Sequence, residues 1–315
     1  MSEPLALRGF PNPTRSICYI TSFIQCFFRC PLDLMIRTPP PGSPCAQNDA
    51  YRALVRIRNN MTSDTDAAYS YEVNGDLFAQ LVTGDMETTV ANDTNDFART
   101  MLGTLLDACA SNFNFTLAEY EVGAVTPAAL LEILDVASVL GTPVTIIPIS
   151  TVAKETARAK RQRMADAIPL PLEITSDGTG VTHHLFAFIV HSGRNAKRGG
   201  HYVAYVNTGA IRGEATWYRF DDGHVPVDLS PHELESVLSE RVATAFYIDR
   251  AHVPVQSFLP PREALLPPPP PPTRTPREII EIEGGRAQSR RPRRSRVSRR
   301  RRQSRVRSRP RRQNK

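Results

Sequence analysis

Residues 183–206 read HHLFAFIVHSGRNAKRGGHYVAYV, and this stretch decides the fold. It holds two runs of β-branched and aromatic residues around a polar segment with turn-forming glycine and asparagine, which is typical of neighbouring strands. Similar short runs lie on either side of it: VTIIPIS at 144–150, TWYRFDDG at 216–223 and TAFYIDR at 244–250. The second half of the chain is therefore predicted to form a mainly antiparallel sheet.

The first half of the chain has the apolar periodicity of helices instead. In three segments the apolar residues recur at the spacing of one helix face. These segments are YITSFIQCFFRC at 19–30, NDFARTMLGTLLDACASNF at 95–113 and PAALLEILDVASVLG at 127–141. Helices followed by an antiparallel sheet define the α+β class, which is the predicted fold class.

The charge and the prolines divide the chain into three regions. The net charge is +7, yet residues 286–315 hold 16 of the 39 basic residues and no acid, which leaves −9 on the other 285 residues. Before this tail, the six consecutive prolines Pro267–Pro272 favour an extended spacer. We predict a globular domain over residues 1–255, a proline-rich linker over 256–285 and a disordered arginine-rich tail over 286–315.

The tail, residues 286–315, predicts a polyanionic partner, RNA or DNA, because each phosphate that an arginine neutralises releases counterions. Nuclear import explains the same residues equally well, and a purely solubilising tail is the third interpretation. The segment contains no aromatic residue, so base stacking is not predicted.

The cysteines and the apolar runs bear on the compartment. Five cysteines lie at positions 18, 26, 30, 45 and 109, an odd number that fits reduced thiols better than a disulfide framework. No run approaches the ~20 apolar residues of a membrane span, and the first residues lack a signal-peptide pattern. We therefore expect an intracellular protein of the nucleus or cytoplasm, without membrane association.

One cysteine, one histidine and one acid have the contexts of a catalytic trio. Cys18 lies where the turn-rich PNPTRS gives way to the first helix, and a helix N-terminus favours a thiolate. His201, with two glycines before it and a strand after it, is a candidate base for this thiol. Asp221, at the end of the next strand, is a candidate to orient the imidazole. The spacing alone also fits ordinary structural positions.

Five motifs give this trio a context. GFPNPTRSICYITSFIQCF is similar to the cysteine box of the ubiquitin-specific proteases, and ANDTNDF resembles that family's acidic helix motif. The stretch 183–206 resembles its histidine box, while WYRFDDGHV and TAFYIDR resemble its two closing motifs. All five occur in the family's order across residues 9–250.

The resemblance implies a papain-like fold with a helical thumb, a β-sheet palm and reduced fingers. It implies a thiol isopeptidase that cleaves after the C-terminal glycine of ubiquitin or of a ubiquitin-like modifier. Cys18 would be the nucleophile, His201 the general base and then acid, and Asp221 the group that orients the imidazole. Asp222 would support the transition state.

Four further residues are candidates for substrate binding. Asp93 and Asp96 match family acids that receive the basic C-terminal tail of ubiquitin, and carboxylates suit arginine side chains there. Their alternative is a solvated position on a helix face. Gly199 and Gly200 would let the backbone of a second chain approach His201 closely.

The chain departs from the family pattern at three points, one of which is Thr21 in place of the asparagine that usually follows Cys-Tyr-x. Asn12, the counterpart of the oxyanion-hole asparagine, stands six residues before Cys18 instead of five, and a lost donor costs about 10²–10³ in rate. No CxxC pair occurs, so we expect no zinc and no other cofactor. The alternative hypothesis is a catalytically weak or inactive relative that binds ubiquitin and acts through a nucleic-acid-binding tail.

Overall fold

The computed structural model describes one compact part of the chain. The described residues are 6–30, 39–82, 86, 88, 93–109, 113–118, 127–149, 170–192, 200–208, 216–240 and 242–252. The chain divides into two units, Met1–Pro267 and Pro268–Lys315, and all described residues lie in the first. The predicted linker and tail therefore lie outside the described residues. Within the described part, no helix has the length and apolar character to cross a membrane.

Six helices precede the first strand in the described part of the chain. They are α1 (Cys18–Arg29), α2 (Pro44–Gln47), α3 (Asp49–Thr62), α4 (Asp66–Tyr69), α5 (Tyr71–Leu81) and α6 (Thr94–Cys109). Helices α2 to α5 each begin with a polar cap, whose side-chain oxygen accepts a hydrogen bond from the backbone N–H three residues on. The four caps are Ser43, Asn48, Thr65 and Ser70.

The second half of the chain forms a mainly antiparallel sheet, as predicted. Its strands are β1 (Phe115–Leu117), β2 (Val144–Pro148), β3 (Glu173–Thr175), β4 (Thr182–Ser192), β5 (His201–Asn207), β6 (Trp217–Phe220), β7 (Val227–Asp228) and β8 (Val242–Asp249). The order is β1-β2-β8-β4-β5-β6-β7, with β3 paired to β4. Only the β1–β2 pair is parallel among the described strands. The α+β prediction is confirmed.

Both faces of the sheet are covered by helices. Phe186, Tyr202 and Phe246 belong to one core, which contains α1 and α6. Phe188 and Tyr205 belong to the other, which contains residues of α7 (Pro127–Leu140) and α8 (Pro231–Leu238). Because side chains alternate between the two faces, strands with a helical layer on each side need nearly continuous apolar sequence. This requirement explains the two apolar runs in residues 183–206.

Helix α1 is buried along its whole length, all 12 residues of it. Its polar side chains find partners in the sheet: Ser22 Oγ donates to the Tyr202 carbonyl at 2.9 Å, and Cys26 Sγ lies 3.7 Å from the Phe188 carbonyl. These contacts fix the rotation of the helix about its axis relative to β4 and β5.

Arg29, at the end of α1, is a buried guanidinium that joins three parts of the chain. Its Nε donates to Gln25 Oε1 at 2.8 Å, and its Nη2 donates to the Ala6 carbonyl at 2.7 Å. The guanidinium carbon lies 4.2 Å from the centre of the Phe220 ring. The N-terminal segment and the end of β6 are thereby fixed to the same helix.

The region predicted to hold reduced fingers, roughly 113–168, is described in part. Its described residues form β1, α7 and β2, all of which belong to the sheet or to the helices that cover it. The remaining positions of that region lie outside the described residues.

The expectation of five reduced cysteines is wrong, because Cys45 is disulfide-bonded to Cys109. Cys45 lies in α2 and Cys109 ends α6, and the packing of these helices brings the two Cα atoms to 4.7 Å across a sequence separation of 64. Cys18, Cys26 and Cys30 are free and buried. No local spacing signals a pair so distant in sequence.

We expect the denatured protein to show three thiols before reduction and five after it, by titration with an aromatic disulfide reagent. The double variant Cys45→Ser/Cys109→Ser should show three under both conditions. Its free energy of unfolding should fall by about 2–4 kcal/mol, because the cross-link constrains the unfolded chain. Five thiols in the unreduced protein would contradict the assignment.

Candidate active site

Cys18 is the first residue of α1, as predicted. Helix α1 begins after Ile17, whose carbonyl accepts bonds from the backbone N–H groups of Ile20 and Thr21 at 2.9 and 3.0 Å. The side chain of Cys18 therefore stands at the positive end of the helix dipole. The residue is almost entirely buried, with 3% of its surface exposed.

His201 begins β5 and contacts two of the predicted partners. Its Nε2 lies 2.6 Å from Asp221 Oδ1, which assigns the proton on Nε2 to this hydrogen bond. Cys18 is the largest cause of the raised pKa of this imidazole, which indicates that its thiol lies beside the ring. Because Asp221 occupies Nε2, Nδ1 is the ring nitrogen that remains for the thiol.

Asp221 follows β6 directly, and the antiparallel pairing of β5 with β6 brings it to His201. Its Oδ1 accepts the bond from His201, and its Oδ2 accepts a bond from Arg219. Burial alone would raise the pKa of Asp221. The hydrogen bond from His201 and the charge of Arg219 outweigh it, so this pKa lies below its ordinary value.

Asn12 reaches the same centre despite the extra residue before Cys18. Its Oδ1 accepts from the Ile17 backbone N–H at 3.2 Å, and its Nδ2 donates to Asp222 Oδ2 at 3.1 Å. A turn takes up the additional residue: the Arg15 N–H donates to the Asn12 carbonyl at 3.1 Å, and Arg15 adopts a positive φ of 55°. The Asn12 amide is thus held between the Ile17 backbone and the Asp222 carboxylate.

Asp222 is the second acid of the centre and is held by two side chains. Besides Asn12, Thr21 Oγ1 lies 3.4 Å from Asp222 Oδ1, and His201 Nδ1 lies 3.9 Å from Asp222 Oδ2. Burial is the main cause of its raised pKa. The backbone of Asp222 is also approached closely, because a Cβ on Gly9 would lie 1.8 Å from the Asp222 carbonyl oxygen. Only glycine allows the N-terminal segment to cross there.

The pKa of the His201 imidazole lies above its ordinary value. Its pKa is raised to about 9, first by the hydrogen bond to Cys18 and then by Asp221 and Asp222, against the opposing effect of burial. Since this pKa lies above the ordinary 6.5, the interactions of the protonated ring stabilise the fold fully below about pH 6.5. That contribution is lost as the pH rises towards 9.

The two acids predicted to bind substrate have structural partners. Asp93 Oδ1 accepts from the Asn95 backbone N–H at 2.8 Å and so caps the first turn of α6. Asp96 Oδ1 lies 3.6 Å from Arg99 Nη1 on the same helix. After burial, the charges of Asp93, Cys18 and Asp96 all contribute to the raised pKa of Tyr202. Both acids are therefore within electrostatic reach of the ring that adjoins the catalytic centre.

The structure describes only one of the two glycines before His201. Gly199 lies outside the described residues. A Cβ on Gly200 would lie 2.0 Å from His191 Nε2 and 2.9 Å from the Ser192 carbonyl oxygen. The absence of a side chain at Gly200 is thus required by the packing of its own chain, whatever else the site binds.

Two residues of this centre carry no role in the sequence prediction. Thr21 contacts Asp222, and Arg219 contacts Asp221. Arg219 stands two positions before Asp221, and strand alternation places such residues on one face, which is the signal that would have identified it.

One cluster of metal-ligating type occurs in the described part of the chain: His201, Asp221 and Asp222. Its atoms already bond to one another and to Asn12 and Arg219. These hydrogen bonds account for the arrangement, and we assign no metal to it.

Comparisons with known proteins bear on the fold and the family. Residues 126–247 match the family described as ubiquitin carboxyl-terminal hydrolase. The SAGA Ubp8/Sgf11/Sus1/Sgf73 DUB module, a yeast assembly, matches with a TM-score of 0.54 at 13% identity, covering 79% of this chain and 69% of that chain. The form of this module bound to ubiquitin aldehyde matches with a TM-score of 0.51 at 12% identity, covering 79% of this chain and 71% of that chain. The form bound to monoubiquitin matches with a TM-score of 0.51 at 14% identity, covering 79% of this chain and 70% of that chain. No curated protein sequence matches.

At identities of 12–14% these structures establish the fold, which is the papain-like fold of the ubiquitin-specific proteases. The resemblance predicted from the five motifs is confirmed in sequence over residues 126–247 and in fold over 79% of the chain.

We expect Cys18 to react with iodoacetamide at pH 6.5, where an isolated thiol of pKa ≈ 8.5 reacts slowly. The imidazole of His201 is the base that this thiol needs, so the variant His201→Gln should react at least about tenfold more slowly at this pH. The rate is measured by mass spectrometry of the Cys18 peptide. Superimposable pH profiles for the two proteins would refute the hydrogen-bonded pair.

Proposed function

We propose that this protein is a thiol-dependent deubiquitinase that cleaves after the C-terminal glycine of ubiquitin or of a ubiquitin-like modifier. The single observation that carries the proposal is the position of His201, whose Nε2 is hydrogen-bonded to Asp221 and whose pKa is raised chiefly by its interaction with Cys18. The chain also shares its fold with a chain of the SAGA DUB module. The proposed reaction is acyl transfer.

In the first step the Cys18 thiolate attacks the carbonyl carbon of the modifier's last glycine, and a C–S bond forms while the C=O π electrons move to oxygen. When the tetrahedral intermediate collapses, the C–N bond breaks and protonated His201 gives its proton to the departing lysine amine. The neutral imidazole then takes a proton from water, whose oxygen attacks the thioester carbonyl. The C–S bond breaks, Cys18 leaves as thiolate, and the modifier is released with a C-terminal carboxyl group. Asp221 holds the ring in the same orientation throughout both steps.

The developing oxyanion needs donors, and Asn12 is the side chain we propose for this role. Its Nδ2 keeps one N–H after donating to Asp222, and its oxygen is fixed by the Ile17 backbone. Such pre-orientation is what makes an oxyanion donor effective, since no reorganisation is required in the transition state. The structure therefore favours the active enzyme over the inactive relative.

We further propose that Asp93 and Asp96 receive arginines of the modifier's C-terminal tail. Asp96 retains partial exposure, with 46% of its side-chain surface free. Both carboxylates contribute to the electrostatic field around Tyr202, as Cys18 does. The Ubp8 module in the comparisons is bound to monoubiquitin in one structure and to ubiquitin aldehyde in another, which supports the choice of modifier.

We expect a ubiquitin probe with a C-terminal propargyl group to form a covalent adduct with the full-length protein. Adduct formation should be abolished in Cys18→Ala and retained in Cys26→Ala, a matched control whose buried thiol has a pKa raised by burial. In Asn12→Ala, turnover of a ubiquitin–fluorophore substrate should fall about 10²–10³-fold. An intact protein that forms no adduct but still binds ubiquitin would instead establish the non-enzymatic alternative.

We propose that residues 286–315 bind RNA or DNA and localise the enzyme to it. Sixteen basic residues and no acid in this segment support the proposal, since phosphate neutralisation makes binding strongly salt-dependent. The affinity of the full chain for a single-stranded RNA should fall steeply between 50 and 200 mM salt, by about 10³-fold or more. A flat response would leave nuclear import or solubility as the role of the tail.

A further inference from the structure

We propose that Arg219 is a positioning residue of the centre, which extends the Cys18–His201–Asp221 triad by a fourth member. The inference rests on the proposed function and deepens it. Arg219 does not reach the reacting atoms; it acts on Asp221, and Asp221 acts on His201. The proposal stands on the bonds that the two oxygens of one carboxylate make.

The Asp221 carboxylate is anchored at both ends. Oδ1 accepts from His201 Nε2 at 2.6 Å, and Oδ2 accepts from Arg219 Nη2. With the His201 bond alone the carboxylate could turn about its Cβ–Cγ bond, and the two oxygens could exchange places. The second anchor fixes the plane of the carboxylate, so that Oδ1 stays directed at the imidazole.

Arg219 is itself held in the sheet. It lies in β6, opposite Tyr205 on β5 and opposite Val227 on β7. Strand β6 has a neighbouring strand on each side, so the backbone sets the direction of the Arg219 stem. A guanidinium also presents several N–H groups in a rigid plane, which suits a fixed carboxylate better than a flexible ammonium does.

The charged groups around Asp221 decide the sign of any pH effect. They are His201 on β5, Arg219 on β6, Asp222 and His224 on the following loop, and Cys18 on α1, with Tyr205 as the neighbouring phenol. Of these groups, His201 and Arg219 lower the pKa of Asp221. Removal of Arg219 should therefore raise that pKa and shift the acid limb of activity to higher pH.

The test compares Arg219→Met, which keeps the stem and removes the donors, with Arg219→Lys, which keeps the charge. For a ubiquitin–fluorophore substrate we expect Arg219→Met to lower kcat about five- to tenfold with KM unchanged, and to move the acid limb of the kcat/KM profile up by roughly half a unit. Arg219→Lys should recover most of kcat. Arg52→Met, which removes an exposed guanidinium paired with Asp49 on α3, is the matched control and should leave all values unchanged.

A second readout does not depend on ubiquitin. The rate of Cys18 alkylation at pH 6.5 should fall in Arg219→Met by a similar factor, and the thermal unfolding midpoint should match that of Arg52→Met. If the protein forms no ubiquitin adduct yet alkylation still depends on Arg219, the proposed function fails and the positioning role stands. If Arg219→Met has wild-type alkylation and an unshifted acid limb, or if Arg219→Lys rescues nothing, the positioning role is overturned.

Discussion

The packing of the fully buried helix α1 against β5 is the constraint on which the rest of the centre depends. Cys18 and His201 are far apart in sequence, and each is the first residue of its element. Their separation is therefore set by where the helix and the strand lie on one another. Ser22, bonded to the Tyr202 carbonyl one residue after His201, prevents the helix from sliding along or turning over the strand. A buried interface of this kind is close-packed and resists small shifts.

Much of the fold could be predicted from the sequence because its core strands are covered on both faces. The runs at 144–150 and 244–250 contain β2 and most of β8, whose residues are almost all buried and mostly apolar. The run at 216–223 contains β6, whose first and last residues are buried. The short strands β3 and β7 could not be predicted in this way. Strand β7 has two residues, Val227 and Asp228, both exposed, and it exists through its pairing with β6. Strand propensity alone does not predict such pairings.

The sequence predicted those residues of the candidate site that match a family motif. The motifs identified Cys18, His201 and Asp221, but the geometry of Asn12 depended on whether a loop could absorb one residue. That loop absorbs it through the left-handed conformation of Arg15, a tertiary accommodation that no spacing encodes. The Cys45–Cys109 bond escaped prediction for a similar reason, since the packing of α2 on α6 creates it.

The place of β8 in the sheet has a consequence for how the protein is made. Strand β8, Val242–Asp249, is the last strand of the described chain, yet it lies between β2 and β4 in the middle of the sheet. On the ribosome the sheet cannot close until this strand has emerged, and pairings so distant in sequence form slowly. Cys18 is synthesised before His201 and before β8. The two residues are therefore held together only after the sheet that positions His201 has formed.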